Sequence, residues 1–273
     1  MSRQKRNSIY NPRPESVDVD FKVHLKTYDR LWAELNNSKT EFPEQHYLIS
    51  GEQGSGKTSL LAQLHQSVVI EPPLPTIQSL FLNEEEYSIR HLYRFWERVF
   101  ELLNDQDLLT NTISKEMQNL SEEIDKHKEY EKQIGNQLLN WLESNGIHLL
   151  LFIDNFDLIL KKLSIAECHR FRKILQTNPC IRIIAAAPEV PPSFYQYEHP
   201  FYEFFKVVHL RPLSIERTQS LLLQLLPESM ENTLTIAGSR IEAIRRITNG
   251  NTRCIVLLAE ILKENVNLSL IHI

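Results

Sequence analysis

Cysteine and glycine are both scarce in this chain of 273 residues, which has three cysteines and seven glycines. Cys168, Cys180 and Cys254 are too few and too scattered for a disulfide framework or a zinc site. No run of about 18 apolar residues occurs, so we expect no transmembrane helix. The basic N-terminus is not followed by an apolar stretch and does not resemble a secretory signal. These absences favour a cytoplasmic protein without membrane contact.

Charge is nearly balanced, with 30 basic and 35 acidic side chains and a formal net charge of −5. The whole molecule therefore lacks the electrostatic signature of a nucleic-acid binder. The first acid is Glu15, and four basic residues precede it: Arg3, Lys5, Arg6 and Arg13. This basic segment is either a solvated arm or a local contact to nucleic acid.

Hydrophobic periodicity predicts strands that alternate with helices along most of the chain. The predicted strands are 46–50, 77–82, 148–153, 181–187 and 205–210. The predicted helices between and before them are 18–36, 57–66, 88–104, 113–143 and 165–176. After Pro212 only helices are predicted, at 214–226, 239–248 and 252–263. This order indicates an α/β fold with a parallel sheet covered on both faces, followed by a small helical lid.

Three of the seven glycines lie within six residues, in the segment Gly51-Glu52-Gln53-Gly54-Ser55-Gly56-Lys57-Thr58. The segment matches the phosphate-loop pattern G-x-x-x-x-G-K-[ST] and lies between a predicted strand and a predicted helix. Backbone N–H groups of such a loop point inward and wrap phosphates, and the positive end of the following helix adds to the attraction. The pattern predicts that Lys57 reaches the β- and γ-phosphates of ATP and that Thr58 ligates Mg²⁺.

A second support for Mg²⁺ is expected at the end of a neighbouring buried strand, where Asp154 follows the run HLLLFI. The alternative is that Asp154 only caps a helix. Many ATPases of this type have Glu at the next position to activate water, but here the residue is Asn155, which cannot accept a proton. Asp157 either substitutes as the base or caps the helix after the strand. Slow hydrolysis is therefore expected.

Two further positions bear on sensing of the γ-phosphate. The strand 181–187 ends in Ala185-Ala186-Ala187, so the polar side chain often found at its end is absent from the sequence. Arg253, at the start of the last predicted helix, either folds back over the nucleotide as a second sensor or is a solvated arginine. The full predicted nucleotide-binding set is Gly51, Glu52, Gln53, Gly54, Ser55, Gly56, Lys57, Thr58, Ser59 and Arg253. The predicted catalytic set is Lys57, Asp154 and Asp157, and the predicted metal ligands are Thr58 and Asp154.

These residues resemble the AAA+ ATPases of the origin-recognition and STAND type. The resemblance rests on YLISGEQGSGKTSLL, LLLFIDNFDLIL, IRIIAAAPEV, PFYEFFKVVHLRPLS and ITNGNTRCIVLLAEIL. It spans roughly residues 11–265 and implies a three-layer P-loop core with a five-strand parallel sheet and a helical lid. The second-sensor motif of the family is usually Gly-Asn-Pro-Arg, and here Thr252 replaces the proline.

The resemblance implies a nucleotide-controlled switch that binds ATP or ADP with Mg²⁺ and acts on DNA or a protein partner. Such proteins commonly form homo-oligomers in the ATP state, and an arginine from a neighbouring subunit often completes the site; Arg211 and Lys206 are candidates between which the sequence does not choose. The alternative function is a signalling or defence module with little turnover. A small-molecule kinase is disfavoured because the lid lacks an arginine-rich phosphoryl-transfer motif.

The expected organisation is a flexible arm at 1–17, an ATPase core at 18–212 and a lid at 213–267. The last six residues, 268–273, have the sequence LSLIHI. This hexapeptide resembles a translation of the transposon end used to tag DNA for sequencing libraries. We therefore expect a non-native tail and a longer natural chain.

Overall fold

A computed structural model describes residues 24–37, 45–83, 89–109, 127–226 and 238–264 of the chain. The predicted arm at 1–17 and the predicted tail at 268–273 lie outside these ranges, as do the first part of the predicted helix at 18–36 and residues 113–126 of the predicted helix at 113–143.

Five parallel strands form one sheet in the order β2-β3-β4-β1-β5. Their bounds are β1 His46–Ser50, β2 Ile77–Leu82, β3 His148–Ile153, β4 Ile181–Ala187 and β5 Phe205–His209. Four strands have the predicted bounds, and β5 ends one residue earlier than predicted. Every residue of β1 and β4 is buried, as expected for central strands of a parallel sheet covered on both faces. The predicted α/β fold is thus confirmed.

Alternating side chains of the strands enter two separate apolar cores, one on each face of the sheet. In β3, Leu149 and Leu151 join the core under the helices that follow β2 and β3. Leu150 and Phe152 of the same strand join the core under the first two helices. This division of one apolar run between two cores is what makes the molecule three-layered.

Among the residues that the structure describes, the helices around the sheet are α1 Leu25–Asn37, α2 Lys57–Ile70, α3 Leu92–Asp105, α4 His127–Ser144, α5 Phe156–Leu160 and α6 Ile165–Thr177. Helix α2 continues four residues beyond its predicted end because Val68 extends its buried face. Helix α6 begins at a capping box, in which Ser164 and Glu167 each bond the backbone N–H of the other.

In the described part of the chain after the sheet, the helices are α7 Ile215–Leu225, α8 Gly238–Ile247 and α9 Thr252–Glu264, and they share a core of their own. The turn before α9 is hydrogen-bonded to the segment that follows β5, since the Leu213 N–H donates to the Gly250 carbonyl at 2.8 Å. Gly250 has a φ of +66°, and a Cβ there would lie 2.6 Å from the Leu213 carbonyl oxygen. Glycine is therefore required where this helical unit meets the sheet. The limits predicted for the lid as a domain, residues 213–267, stay a prediction.

Candidate nucleotide-binding site

The segment between β1 and α2 has a backbone that its three glycines make possible. Gly54 and Gly56 have φ values of +82° and +90°, in the region that L-amino acids with side chains rarely adopt. Gly51 has a different reason, since a Cβ there would lie 2.8 Å from both the Leu210 carbonyl oxygen and the Ser55 hydroxyl. The scarce glycines thus stand where the backbone must turn or pack closely.

Lys57 and Thr58 begin helix α2 and lie directly beside this loop. The Lys57 ammonium donates to the carbonyl oxygens of Gly51 at 2.7 Å and Glu52 at 3.0 Å. These two bonds hold the Lys57 side chain against the loop, and the residue is 7% exposed. Thr58 Oγ1 donates to Asp154 Oδ2 at 2.7 Å. The fold therefore brings three sequence-predicted residues from two distant segments to one place.

Asp154 occupies the position that the run HLLLFI predicts, at the carboxyl end of β3. The residue is 4% exposed, and its Oδ1 accepts the backbone N–H of Asn155 at 2.9 Å. A buried carboxylate is costly unless hydrogen bonds or a cation stabilise it. The Thr58 hydroxyl and the Asn155 amide supply two such bonds.

The oxygen donors of Thr58 and Asp154 fit Mg²⁺, which prefers hydroxyl, carboxylate, phosphate and water oxygens. The described residues contain no group of three or more His, Cys, Asp or Glu side chains able to hold a metal ion by themselves. A Mg²⁺ ion held by Thr58 and Asp154 would take its other oxygen ligands from phosphate and water, and when bound it would neutralise phosphate charge. The loop lies at the N-terminus of the 14-residue helix α2, an arrangement that favours the binding of anions.

Asn155 and Asp157 follow Asp154 at the start of helix α5. Asn155 has a φ of +46°, which asparagine adopts at lower cost than most residues with side chains. Asp157 Oδ2 bonds the Lys161 ammonium at 2.7 Å, and its Oδ1 is buried without a hydrogen-bond partner among the described residues. The N-cap of α5 is Asn155, so Asp157 does not cap the helix but forms an i,i+4 ion pair within and beyond its first turn, and its role as a base stays a prediction.

The two positions considered for γ-phosphate sensing differ in their surroundings. Ala185, Ala186 and Ala187 are fully buried in β4, which offers no polar side chain there. The backbone N–H of Arg253 donates to the Gly54 carbonyl at 3.0 Å, so α9 begins against the glycine loop. The Arg253 side chain is exposed beside it. The structure thus places Arg253 next to the loop, and its contact with a nucleotide stays a prediction.

The structure also places Arg211 and Lys206, the two candidates for a basic residue donated to the site of a neighbouring subunit. A small cleft between the glycine loop and the lid is lined by Glu52, Ser55, Leu210, Arg211, Pro212, Gly250, Asn251 and Thr252. Arg211 thus borders the cleft of its own chain. Lys206 lies on β5, where its ammonium bonds Glu34 at 2.9 Å. The choice between them as a residue donated to a neighbouring subunit stays open.

Two residues at the loop were missed by sequence reasoning. His24 Nε2 donates to the Ser55 carbonyl at 2.6 Å, and the residue is 4% exposed. Burial lowers the pKa of His24, as does the charge of Arg217, whereas the bond to Ser55 opposes this shift. Asn251 Nδ2 donates to the Gln53 carbonyl at 2.7 Å. Asn251 lies in the quoted motif next to Arg253, but His24 carries no local sequence signal.

Comparison with known proteins identifies the family. A model of the AAA domain family matches residues 40–193, which is more than half of the chain. The chain therefore belongs to the AAA domain family, and its fold is that of an origin-recognition-like P-loop ATPase. No curated protein matches the sequence significantly. In the described part of the chain, no helix has the length and apolar character needed to cross a bilayer.

Solved structures show the same fold at low sequence identity. The Aeropyrum pernix ORC2 protein in its ADPNP–ADP complexes matches with a TM-score of 0.64 and 13% identity. That match covers 90% of this chain and 64% of the other. Drosophila ORC bound to DNA matches with a TM-score of 0.54 and 14% identity, over 92% of this chain and 64% of the other. The Aeropyrum pernix ORC1 protein in complex with DNA matches with a TM-score of 0.53 and 12% identity, over 88% and 60%.

Proposed function

We propose that the chain binds ATP with Mg²⁺ and acts as a nucleotide-controlled switch. The observation that carries the proposal is the hydrogen bond of 2.7 Å between Thr58 Oγ1 and Asp154 Oδ2, beside the Lys57 ammonium. It joins the hydroxyl and the carboxylate that P-loop ATPases use to hold Mg²⁺. Membership of the AAA domain family supports the same conclusion.

Hydrolysis is proposed to be slow. Asn155 occupies the position after Asp154, and an amide orients water but does not accept its proton. Asp157, the other candidate base, is bonded to Lys161 at 2.7 Å. The alternative function, a signalling or defence module with little or no turnover, is favoured by the same two observations and by the buried alanines at the end of β4.

The partner is proposed to be DNA or another protein, with assembly into a homo-oligomer in the ATP state. The proposal that DNA is the partner draws on the two reported structural matches that were solved with DNA. The chain spans 64% of the Aeropyrum pernix ORC2 chain, so what that whole protein does reaches this chain only as a proposal. Fluorescence anisotropy on duplex DNA over a series of salt concentrations tests DNA binding, since phosphate contacts make affinity fall with salt.

The test of nucleotide binding is Lys57→Ala, measured by equilibrium titration with a fluorescent ATP analogue. Loss of the ammonium beside the loop should weaken ATP binding by about tenfold or more, or about 1.4 kcal/mol. Lys173→Ala is the control. Lys173 is exposed on α6, so this substitution removes the same charge from another part of the surface. Equal ATP affinity of Lys57→Ala and the wild type would overturn the proposed nucleotide site.

A further inference from the structure

Three consecutive carbonyl groups of the glycine loop accept hydrogen bonds from outside the loop. The Gln53 carbonyl accepts from Asn251 Nδ2 at 2.7 Å. The Gly54 carbonyl accepts from the Arg253 backbone N–H at 3.0 Å. The Ser55 carbonyl accepts from His24 Nε2 at 2.6 Å. Two of the three donors belong to the lid, and the third precedes helix α1.

These bonds act on the N–H groups of the loop through the planarity of the peptide bond. The carbonyl of one residue and the N–H of the next point in opposite directions in a trans peptide. The two carbonyls bonded by the lid, those of Gln53 and Gly54, therefore leave the N–H groups of Gly54 and Ser55 pointing away from the lid, and the Ser55 N–H donates to the Glu52 carbonyl at 3.1 Å. A loop that binds phosphate needs its peptide groups held in fixed directions, and the two lid bonds fix the directions of the Gln53–Gly54 and Gly54–Ser55 peptides.

Asn251 differs from the other two donors because its side chain makes two bonds with separable roles. Its Oδ1 accepts the Cys254 N–H at 3.2 Å, which caps helix α9 in the usual N-cap manner. Its Nδ2 donates to the Gln53 carbonyl, 198 residues earlier in the sequence. The two atoms of one amide thus join the first turn of the lid helix to the glycine loop.

We propose that Asn251 is a positioning residue that couples the position of the lid to the conformation of the glycine loop. The proposal rests on the proposed nucleotide site, for which it names a regulatory contact. With the lid docked, Asn251 holds the Gln53 peptide and the loop is ordered for phosphate. Movement of α9 away from the loop withdraws this donor together with the Arg253 N–H, and the loop loses phosphate affinity.

The two bonds of Asn251 can be separated by substitution. In Asn251→Asp the carboxylate keeps an acceptor for the Cys254 N–H and remains a good N-cap, but it loses the donor to Gln53. Asn251→Ser also keeps an N-cap acceptor, lacks the amide donor and adds no charge. Asn249→Asp is the control for charge, because Asn249 is exposed two residues away and has a φ of +51°, which Asp tolerates.

Hydrogen exchange without nucleotide tests the coupling directly. In Asn251→Asp and Asn251→Ser, peptides covering residues 51–56 should exchange about tenfold faster, while peptides within α9 keep their wild-type protection. Titration should show ATP binding weakened by about five- to tenfold at unchanged melting temperature. Asn249→Asp should match the wild type in both measurements.

The outcomes separate this proposal from the proposed function. Unchanged loop exchange in both Asn251 variants would overturn the coupling, whatever the nucleotide affinity. Equal loss of protection in the loop and in α9 would also overturn it, because Asn251 would then act only as a cap. If the wild-type chain binds no nucleotide while the difference in loop exchange holds, the proposed function fails and the coupling of lid and loop stands.

Discussion

Thr58 and Asp154 lie 96 residues apart in the sequence, yet the Thr58 hydroxyl donates to the Asp154 carboxylate at 2.7 Å. The contact follows from the strand order, although β1, which leads into Thr58, is not a neighbour of β3, which ends at Asp154. Strand β4 lies between them. All three strands are parallel, so their carboxyl ends meet at the same edge of the sheet.

Replacement of Asp154 should remove the effect of Mg²⁺ on nucleotide binding. Asp154→Asn keeps the size of the side chain and an acceptor for Thr58, but it removes the negative charge that a divalent cation requires. ATP affinity with Mg²⁺ should fall to the value measured in EDTA. Thr58→Ser, which retains the hydroxyl, should keep a Mg²⁺ effect. A full Mg²⁺ effect in Asp154→Asn would show that Asp154 is not a ligand.

Asp157 should contribute to stability and little to turnover. Its partner Lys161 has a side chain that is 68% exposed and screened by solvent, whereas the Asp157 side chain is 9% exposed, so the pair contributes about 1 kcal/mol, the upper end of the range for surface pairs. Phosphate release should therefore be similar in Asp157→Asn and the wild type, with a small loss in urea stability that Lys161→Ala reproduces. A steep fall in rate for Asp157→Asn alone would instead identify Asp157 as the base.

Asn155 should limit the rate of hydrolysis, and an acid at this position should raise it. Asn155→Asp is the gentler substitution, since Asp tolerates a φ of +46° nearly as well as Asn. Asn155→Glu supplies a longer carboxylate but must adopt a left-handed conformation at a cost of about 1–2 kcal/mol. Steady-state phosphate release should increase in at least one variant while ATP affinity stays the same. No increase in either would mean that another feature limits the rate.

The sequence predicted most of the sheet and the centre of the site because local patterns encode both. The strands 46–50, 77–82, 148–153 and 181–187 are short apolar runs with clear ends, and the glycine loop is defined by spacing alone. The contacts that pair distant side chains have no such pattern. Arg182 is fully buried, where its Nε bonds the Gln45 carbonyl at 2.8 Å and its guanidinium lies over the Tyr47 ring. Neither neighbour of Arg182 in the sequence indicates this.

His24 shows the same limit at the site itself, and its contact gives a further prediction. Its Nε2–H is the donor to the Ser55 carbonyl, and loss of a buried hydrogen bond costs about 1–3 kcal/mol. His24→Phe should lower the free energy of unfolding by that amount and weaken ATP binding. His24→Gln should recover part of both, because an amide Nε2 is also a donor. Equal effects of Phe and Gln would show that shape, and not the hydrogen bond, matters at this position.

His46 should make stability depend on pH. Burial, together with the nearby charge of Arg182, lowers the pKa of His46 from 6.5 to about 4, against a smaller opposing effect of a bond to the Leu175 backbone. Its Nδ1 accepts the Ile183 N–H at 3.1 Å, so the imidazole must stay neutral to keep this bond. Protonation is thus easier in the unfolded chain than in the folded one.

The direction and the size of the pH dependence of stability follow from the difference in the pKa of His46 between the folded and unfolded chains. The contribution of neutral His46 is fully present above pH 6.5 and is lost as pH falls toward 4. A shift of this size corresponds to about 3 kcal/mol, at about 1.36 kcal/mol per pKa unit. His46→Asn keeps an acceptor near the Ile183 N–H but has no group that titrates in this range. The difference in unfolding free energy between the wild type and His46→Asn, measured by urea at each pH, should therefore shrink between pH 6.5 and 4. A difference independent of pH would mean that His46 titrates alike in the folded and unfolded chains.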